Sequence, residues 1–328
     1  MSQRLSLAVQ SGDFAVPETG RIAVFHPREG HDLSALPQAQ VEIIQPLKPE
    51  FDSWASRGFA CSAEGDADAR YAAAVVFIPR AKPQARQLVA QAAAATDGPI
   101  LIDGLKNDGI DSMFKELKKH TTPSAALSKA HGKAFCIDGG LDLSDWIMGA
   151  QEIAEGYVTA PGVFSADAVD PASRLLAPAL PAKLGKEIAD LGAGWGYLAA
   201  QILTRDSVAT LHLVEADHVA LACARRNIDD ARAQIHWADA RDWGAKGSLD
   251  VVVMNPPFHT GRAAEPALGQ AFIANAARLL KPSGQLWLVA NRHLPYETTM
   301  DELFATVEEV TGDNRFKILR AARPRRSR

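Results

Sequence analysis

The second half of the chain alternates short apolar runs with longer segments in which apolar residues recur every three or four positions. These runs predict strands near residues 187–191, 209–214, 233–237, 249–254 and 284–290. The longer segments predict helices near residues 195–204, 217–228 and 265–280. Two more apolar runs, 306–310 and 316–319, come in quick succession and predict a terminal antiparallel pair. The pattern is typical of an α/β fold with a seven-stranded, doubly wound sheet.

The first half repeats this alternation with shorter elements. Strands are predicted over residues 22–25, 41–44, 74–78, 99–102 and 133–137, with helices over 82–95 and 107–119. Chain breakers at 138–140 and 160–162 fit a link between domains, so we place a boundary near residue 150. We therefore expect two tandem domains, 1–150 and 151–328, the first a degenerate copy of the second that binds no nucleotide.

Composition narrows the class of protein. Of 328 residues, 47% are hydrophobic and 23% charged, and no apolar run approaches the roughly 20 residues of a membrane span. Three scattered cysteines argue against a disulfide framework and against a metal site, so we expect no metal and a cytoplasmic protein without membrane contact.

Charge offers one candidate contact with nucleic acid. The net charge of −4 argues against binding through overall positive charge. Residues 315–328, however, hold seven Arg or Lys and no acid. This segment is either a solvated, frayed tail or a contact for phosphates.

A glycine-rich turn follows the first strand of the second domain. Asp190 precedes Gly192, Gly194 and Gly196, and a helical pattern begins at once. Glycines let a ligand lie against the main chain. The spacing differs by one residue from the dinucleotide fingerprint, so by itself this turn leaves a nicotinamide enzyme open.

Polar side chains fall at or just after four predicted strand ends. They are Asp190, Glu215, Asp239 and Asn255. In a doubly wound sheet, ligands bind outside the carboxyl ends of the strands, where the strand order reverses. We expect these four side chains to converge on one crevice.

The fourth of these strands ends in Asn255-Pro256-Pro257-Phe258. The two prolines remove backbone donors and stiffen the loop, which leaves the Asn255 amide oxygen and the Pro256 carbonyl as fixed acceptors. Two such acceptors can hold both N–H groups of an amine on a flat ring and aim its lone pair at an electrophile. Phe258 can stack on that ring. The loop predicts transfer to an exocyclic amine without a conventional general base.

These motifs together resemble class I S-adenosylmethionine-dependent methyltransferases that act on exocyclic amines. Segments 161–165, 255–261, 290–296 and 312–321, and in the first half 78–83 and 104–112, are similar to the RsmC family. That family methylates the 2-amino group of a guanine in 16S ribosomal RNA. The resemblance implies two Rossmann-like methyltransferase-type domains, the first non-catalytic and serving as a scaffold or RNA-docking surface.

The resemblance also implies roles for individual residues. Asp190, Gly192 and Gly194 would surround the methionine part of the cofactor, with Glu215 on the ribose and Asp239 on the adenine amine. Asn255, Pro256 and Phe258 would hold the target base, and Asn255 would also border the cofactor. Phe164 would line the pocket from a lid whose helix begins near 170, with Asp170 as its cap. His259 either orders the substrate or faces solvent.

Several alternatives stay open at this point. The acceptor amine is a guanine of the small-subunit RNA, a large-subunit guanine, a DNA adenine or a protein glutamine. A nicotinamide-dependent reductase and a catalytically silent RNA-binding protein are rivals of other classes. We expect a monomer that meets ribosomal RNA within the small subunit.

Overall fold

A computed structural model describes residues 3–66, 68–257 and 266–325. The chain divides into two compact units, Met1–Gly149 and Ala150–Arg328. Each unit contains one seven-stranded sheet of mostly parallel strands. The predicted α/β class with two tandem domains of the same architecture is confirmed.

The first unit is built on a sheet of five parallel strands, extended by two more strands that join it through antiparallel pairing. Its strands are β1 (Ile22–Phe25), β2 (Val41–Ile44), β3 (Ala60–Ser62), β4 (Ala73–Phe77), β5 (Pro99–Leu105), β6 (Leu127–Lys129) and β7 (Gly132–Asp138). Its helices are α1 (Arg4–Ser11), α2 (Lys48–Ser56), α3 (Lys82–Ala95) and α4 (Ile110–Leu117). The strand order is β3-β2-β1-β4-β5-β7-β6. Every residue of β1 and β4 is buried, as expected for central parallel strands covered on both faces.

The second unit begins with a small hairpin and continues into the second large sheet. Its strands are β8 (Gln151–Glu152), β9 (Val158–Thr159), β10 (Glu187–Leu191), β11 (Thr210–Glu215), β12 (Ala233–Trp237), β13 (Leu249–Met254), β14 (Leu280–Asn291), β15 (Phe304–Gly312) and β16 (Phe316–Pro324). Its helices are α5 (Pro171–Ala179), α6 (Tyr197–Leu203), α7 (His218–Asn227), α8 (Pro266–Leu279) and α9 (Tyr296–Leu303). The sheet order is β12-β11-β10-β13-β14-β16-β15, the same connectivity as in the first unit.

Alternating side chains of the central strand β10 pack on opposite faces of the second sheet. Ile188 joins an apolar cluster with residues of α5 and α6, while Leu191 joins a cluster with residues of α8 and α9. The strand order reverses between β10 and its other parallel neighbour β13. Residues at the carboxyl ends of these two strands therefore border the crevice where doubly wound sheets bind ligands.

The structure corrects several sequence predictions. Helices α1, α2 and α9 and strands β3 and β6 were not predicted. The helix predicted over 107–119 is a 3-10 turn, Lys106–Asp108, followed by the shorter α4. Within the described ranges, no helix is long and apolar enough to cross a membrane.

The basic C-terminal segment is largely a strand. Residues 316–324 form β16, so the interpretation of this stretch as a frayed tail is wrong. Lys317 donates to Glu297 at 2.6 Å, and Arg320 donates to Glu308 at 2.6 Å. These two cations are therefore paired within the second unit. Arg326 and Arg328 lie outside the described residues.

Candidate active site

The turn between β10 and α6 depends on glycine backbone conformations. Gly192, Gly194 and Gly196 have φ of 78°, 56° and 96°, in the left-handed region that side chains with a Cβ rarely adopt. A Cβ built on Gly194 would meet no atom within 4 Å. The main chain at Gly194 therefore borders open space, and a ligand can lie directly against it.

Asp190 lies beneath this turn and is completely buried. Neither of its carboxylate oxygens makes a hydrogen bond in the described part of the chain. Burial raises the pKa of Asp190 to about 8, and the negative charge of Glu215 adds to the rise; the nearby Ala199 amide, which lies outside hydrogen-bonding geometry, is the smallest influence and opposes it. Buried polar groups normally have a partner, so two unsatisfied oxygens mark a place for a ligand that donates hydrogen bonds.

Glu215 ends β11 and binds the backbone of the glycine turn. One carboxylate oxygen accepts from the Gly194 N–H at 2.8 Å, and the other accepts from the Asp217 N–H at 2.8 Å. Burial raises the pKa of Glu215, and these backbone donors partly offset the rise. Asp217 caps α7 through the Val219 N–H, and burial together with the Glu215 charge raises its pKa to about 7. Three acidic groups thus lie close together around the turn.

Asn255 follows the last residue of β13, and its side-chain amide is held from one side. Its Nδ2 donates to Asp170 Oδ2 at 2.9 Å and to the Ser173 hydroxyl at 2.9 Å. A carboxylate can only accept, so the NH₂ group faces Asp170 and the carbonyl oxygen Oδ1 is directed away from it. Pro256 is buried and Pro257 is exposed.

The segment before α5 also reaches the glycine turn. Phe164 is 57% exposed, and its backbone carbonyl accepts from the Trp195 indole N–H at 2.9 Å. Trp195 is itself buried and packs against the rings of Tyr157 and Tyr197. A cavity results, lined by Phe164, Ser165, Asp170, Ser173, Gly192, Ala193, Gly194, Trp195, Tyr197, Leu198 and Asn255.

The sequence-predicted residues are therefore only partly brought together. Phe164, Gly192, Gly194 and Asn255 line the cavity. Asp190 is buried at the end of β10, two residues before Gly192. Glu215 is linked to the glycine turn by the hydrogen bond from the Gly194 N–H.

Asp239 is bonded to a residue outside this group. Its carboxylate bonds to the side chain and backbone N–H of Arg241, and none of its hydrogen bonds among the described residues reaches the turn. Phe258 and His259 lie outside the described residues.

Sequence reasoning missed two residues that touch Asn255. Asp170 was predicted as the cap of α5, and its Oδ2 does accept from the Ser173 N–H at 2.8 Å. Nothing in the sequence indicated that Asp170 and Ser173 also bind a side chain 85 and 82 residues further along the chain. The cap motif was the available signal, but it carries no information about that distant partner.

The chemistry of the site fits S-adenosylmethionine. S-adenosylmethionine carries an ammonium group and a sulfonium centre, and acidic groups such as those around the turn would favour both positive charges. The unsatisfied oxygens of Asp190 offer acceptors for an N–H donor, and the open backbone at Gly194 leaves room beside the main chain.

Comparison with known proteins identifies the family. The model of the methyltransferase small domain matches residues 156–320. Ribosomal RNA small subunit methyltransferase C of Shewanella sp. (strain MR-4) is 31% identical over 263 residues, which cover 76% of each chain. The chain belongs to the ribosomal RNA small subunit methyltransferase C family.

Two further relatives of this family extend the match. The Idiomarina loihiensis methyltransferase C is 27% identical over 317 residues, covering 92% of this chain and 93% of that protein. The solved structure of the T. thermophilus 16S rRNA N2 G1207 methyltransferase RsmC, in complex with AdoMet and guanosine, shares the fold. Its TM-score is 0.81 at 24% identity, and the match covers 95% of this chain and 90% of that one. The resemblance to RsmC seen in the sequence is confirmed.

Proposed function

We propose that this chain transfers a methyl group from S-adenosylmethionine to the exocyclic 2-amino group of a guanine in 16S ribosomal RNA. Membership of the methyltransferase C family supports the reaction type and the substrate class. The observation that carries the proposal in this chain is the Asn255 amide, whose NH₂ group is bound by Asp170 and Ser173. That orientation leaves Oδ1 to accept from a substrate amine.

The cofactor would lie along the glycine turn. Asp190 would accept from its ammonium group, and the Gly192 and Gly194 backbone would lie against its methionine part. Glu215 would accept from the ribose hydroxyls, and we keep Asp239 as the partner of the adenine amine. Asp239 would then have to exchange part of its contact with Arg241 for that partner. When bound, S-adenosylmethionine supplies an electrophilic methyl group.

The protein would bind and orient the guanine amine. Asn255 Oδ1 and the Pro256 carbonyl would each accept one N–H of the amine, which turns the nitrogen lone pair out of conjugation with the ring. Positive charge that develops on the nitrogen would be stabilised by these two oxygens, because the rigid loop fixes them in advance. The proton can leave after the nitrogen has become cationic, so no dedicated base is required. Phe258 and Phe164 would contact the ring, and His259 would border it.

The target base must leave its helix to reach this site. The guanine 2-amino group of a paired base lies in the minor groove, so extrusion costs a few kcal/mol. We infer that the substrate is the RNA within the small subunit, that the first unit docks or supports the RNA, and that the enzyme acts as a monomer in the cytoplasm.

Labelled methyl transfer tests this function. The purified chain and methyl-labelled S-adenosylmethionine are incubated separately with small subunits, large subunits, free 16S RNA and DNA, all from cells lacking the gene for this chain. We expect N2-methylguanosine in the RNA of the small subunits, and none in the large subunits, the free 16S RNA or the DNA. Label in adenine, in protein glutamine or in large-subunit RNA would support the alternative amine acceptors instead.

A further inference from the structure

We propose that Asp170 is a positioning residue for methyl transfer, because its carboxylate and the Ser173 hydroxyl fix which end of the Asn255 amide meets the substrate. This inference rests on the proposed function, in which Asn255 accepts a hydrogen bond from the guanine amine. It adds a requirement that the loop sequence does not contain. The orientation of Asn255 is set from another element of the fold.

An asparagine amide has two ends of nearly equal size but opposite hydrogen-bonding character. Rotating it by half a turn exchanges the acceptor Oδ1 for the donor Nδ2 at little steric cost. At this site the rotated amide would place Oδ1 against the Asp170 carboxylate, where two acceptors repel. It would also present N–H groups to a substrate amine that is itself a donor.

The contacts of Asn255 select the productive orientation. Its Nδ2 lies 2.9 Å from Asp170 Oδ2 and 2.9 Å from Ser173 Oγ, so both of its protons have acceptors. Hydrogen bonds to a charged acceptor are roughly twice as strong as those between neutral groups. The Ser173 hydroxyl can donate or accept, whereas the carboxylate can only accept. Asp170 therefore supplies the selection between the two amide ends.

Asp170 is itself rigidly held. The same Oδ2 accepts from the Ser173 N–H at 2.8 Å, and Pro171 begins the helix with a fixed backbone angle. Capping alone does not require a carboxylate at this position, because Asn and Ser cap helices comparably well. The contact with Asn255 explains why an acceptor-only group serves here.

Three substitutions separate the cap from the positioning role. Asp170→Ser keeps a capping oxygen but withdraws it from Asn255 by about one bond length, ~1.5 Å. Asp170→Asn keeps shape and cap but offers either a donor or an acceptor to Asn255. Ser173→Ala removes the second acceptor while the capped backbone N–H remains. Asp142 accepts from the Ser144 N–H at 3.0 Å in the first unit, so Asp142→Ser and Asp142→Asn are matched controls.

We expect Asp170→Ser to lower kcat on small-subunit RNA by about 100-fold, the usual effect of misplacing a reacting group by ~1 Å. Asp170→Asn should lower kcat by about tenfold and Ser173→Ala by less. The KM for S-adenosylmethionine and the melting temperature should stay near wild type. Activity that falls only in step with the melting temperature, or an unchanged kcat in Asp170→Ser, would overturn the proposal.

Side-chain hydrogen exchange provides a readout that does not depend on the reaction. In ¹⁵N-labelled protein, the Asn255 NH₂ signal is assigned by its loss in Asn255→Asp. We expect its exchange to be slow in the wild type and in both Asp142 variants, and at least about tenfold faster in Asp170→Ser. Equal exchange in Asp170→Ser and wild type would overturn the positioning role. If the wild type fails to methylate guanine while the exchange difference holds, the proposed function fails and the Asp170 contact stands.

Discussion

The two sheets of this chain have the same strand order, but a buried carboxylate in one has a hydrogen-bond partner and a buried carboxylate in the other has none among the described residues. In the first unit, Asp103 of β5 is buried and bonded to Arg4, whose Nε lies 3.1 Å from both carboxylate oxygens. In the second unit, Asp190 of β10 is equally buried, but neither of its oxygens has a hydrogen-bond partner in the described part of the chain. One carboxylate is neutralised by a side chain of its own unit, and the other has no such partner among the described residues.

The turns after the first strands of the two sheets differ in the same direction. After β1 comes His26, which is half-buried and has a φ of 57°, followed by Pro27. After β10 come glycines with open space beside Gly194. The same strand order therefore carries an open glycine turn in the second unit and a different turn at the equivalent place in the first. The chemistry depends on a few residues at the strand ends.

The largest expected effect comes from removing the buried carboxylate of Asp103, which pairs with Arg4. Asp103→Ala leaves the Arg4 guanidinium buried without its partner, which should cost about 3–5 kcal/mol in the free energy of unfolding. Urea denaturation measures this loss. The exposed pair Lys48–Asp52 provides the control, because Asp52→Ala should change stability by less than about 1 kcal/mol. Equal losses in the two variants would show that the buried pair has no special structural role.

Removing the Asn255 amide, the proposed hydrogen-bond acceptor for the substrate amine, should affect only the chemistry of the second unit. Asn255→Ala should lower kcat by about 10²–10³-fold, the usual effect of deleting one preorganised hydrogen-bonding group. The affinity for S-adenosylhomocysteine should stay within a fewfold of wild type, because Asn255 acts on the substrate. Asn314→Ala, at an exposed turn, is the control. A near-normal kcat in Asn255→Ala would refute the assignment of Asn255 as the hydrogen-bond acceptor for the substrate amine.

Asp190→Asn should weaken the binding of the cofactor without disrupting the fold. Because a hydrogen bond to a charged group contributes about 1.5–3 kcal/mol, we expect S-adenosylmethionine affinity to fall about tenfold or more.

Burial raises the pKa of Asp190 from 3.8 to about 8, so the folded protein holds a proton that the unfolded chain releases between these values. The free energy of unfolding of the cofactor-free protein should therefore fall as pH rises from about 4 to about 8.

The asparagine variant removes this share of the pH dependence. Its stability curve between pH 4 and pH 8 should be flatter than that of the wild type. Some slope should remain, because the pKa values of Glu215 and Asp217 are also raised. Thermal unfolding across this range measures the difference. Parallel curves for the two proteins would contradict the raised pKa of Asp190.

The smallest expected effect concerns the segment that carries Phe164. Trp195→Phe keeps an aromatic ring but deletes the indole N–H that binds the Phe164 carbonyl, worth about 1 kcal/mol. We expect the KM for small-subunit RNA to rise about fivefold, with little change in the KM for S-adenosylmethionine. Trp287→Phe is the control, since that buried indole donates to Gln285 instead. Unchanged RNA affinity in Trp195→Phe would show that this bond does not position Phe164.

The parts of the fold that the sequence predicted are those with strong local signals. Strands β1 and β2 were predicted to the residue, and the Asp170-Pro171 cap placed the start of α5 correctly. Helix α1 was missed because its buried face includes Arg4, a charged residue that an apolar pattern excludes. Helix α2 was missed because Trp54 is its one fully buried side chain.

The candidate site divides in the same way. Gly192, Gly194, Glu215 and Asn255 could be predicted because each sits at a strand end with a local motif. The contact of Asn255 with Asp170 could not, because it joins residues 85 positions apart through the packing of α5. The pairing of Asp239 with Arg241 is local, but it competes with an adenine contact that only the family resemblance implied.

Calorimetric titration with S-adenosylhomocysteine tests most directly the claim that one sheet edge binds the cofactor and the other does not. We predict one binding site per chain, weakened in Asp190→Asn, unchanged in Asp52→Ala, and no heat from NADH. Two sites per chain, no binding, or preferential binding of NADH would contradict the account.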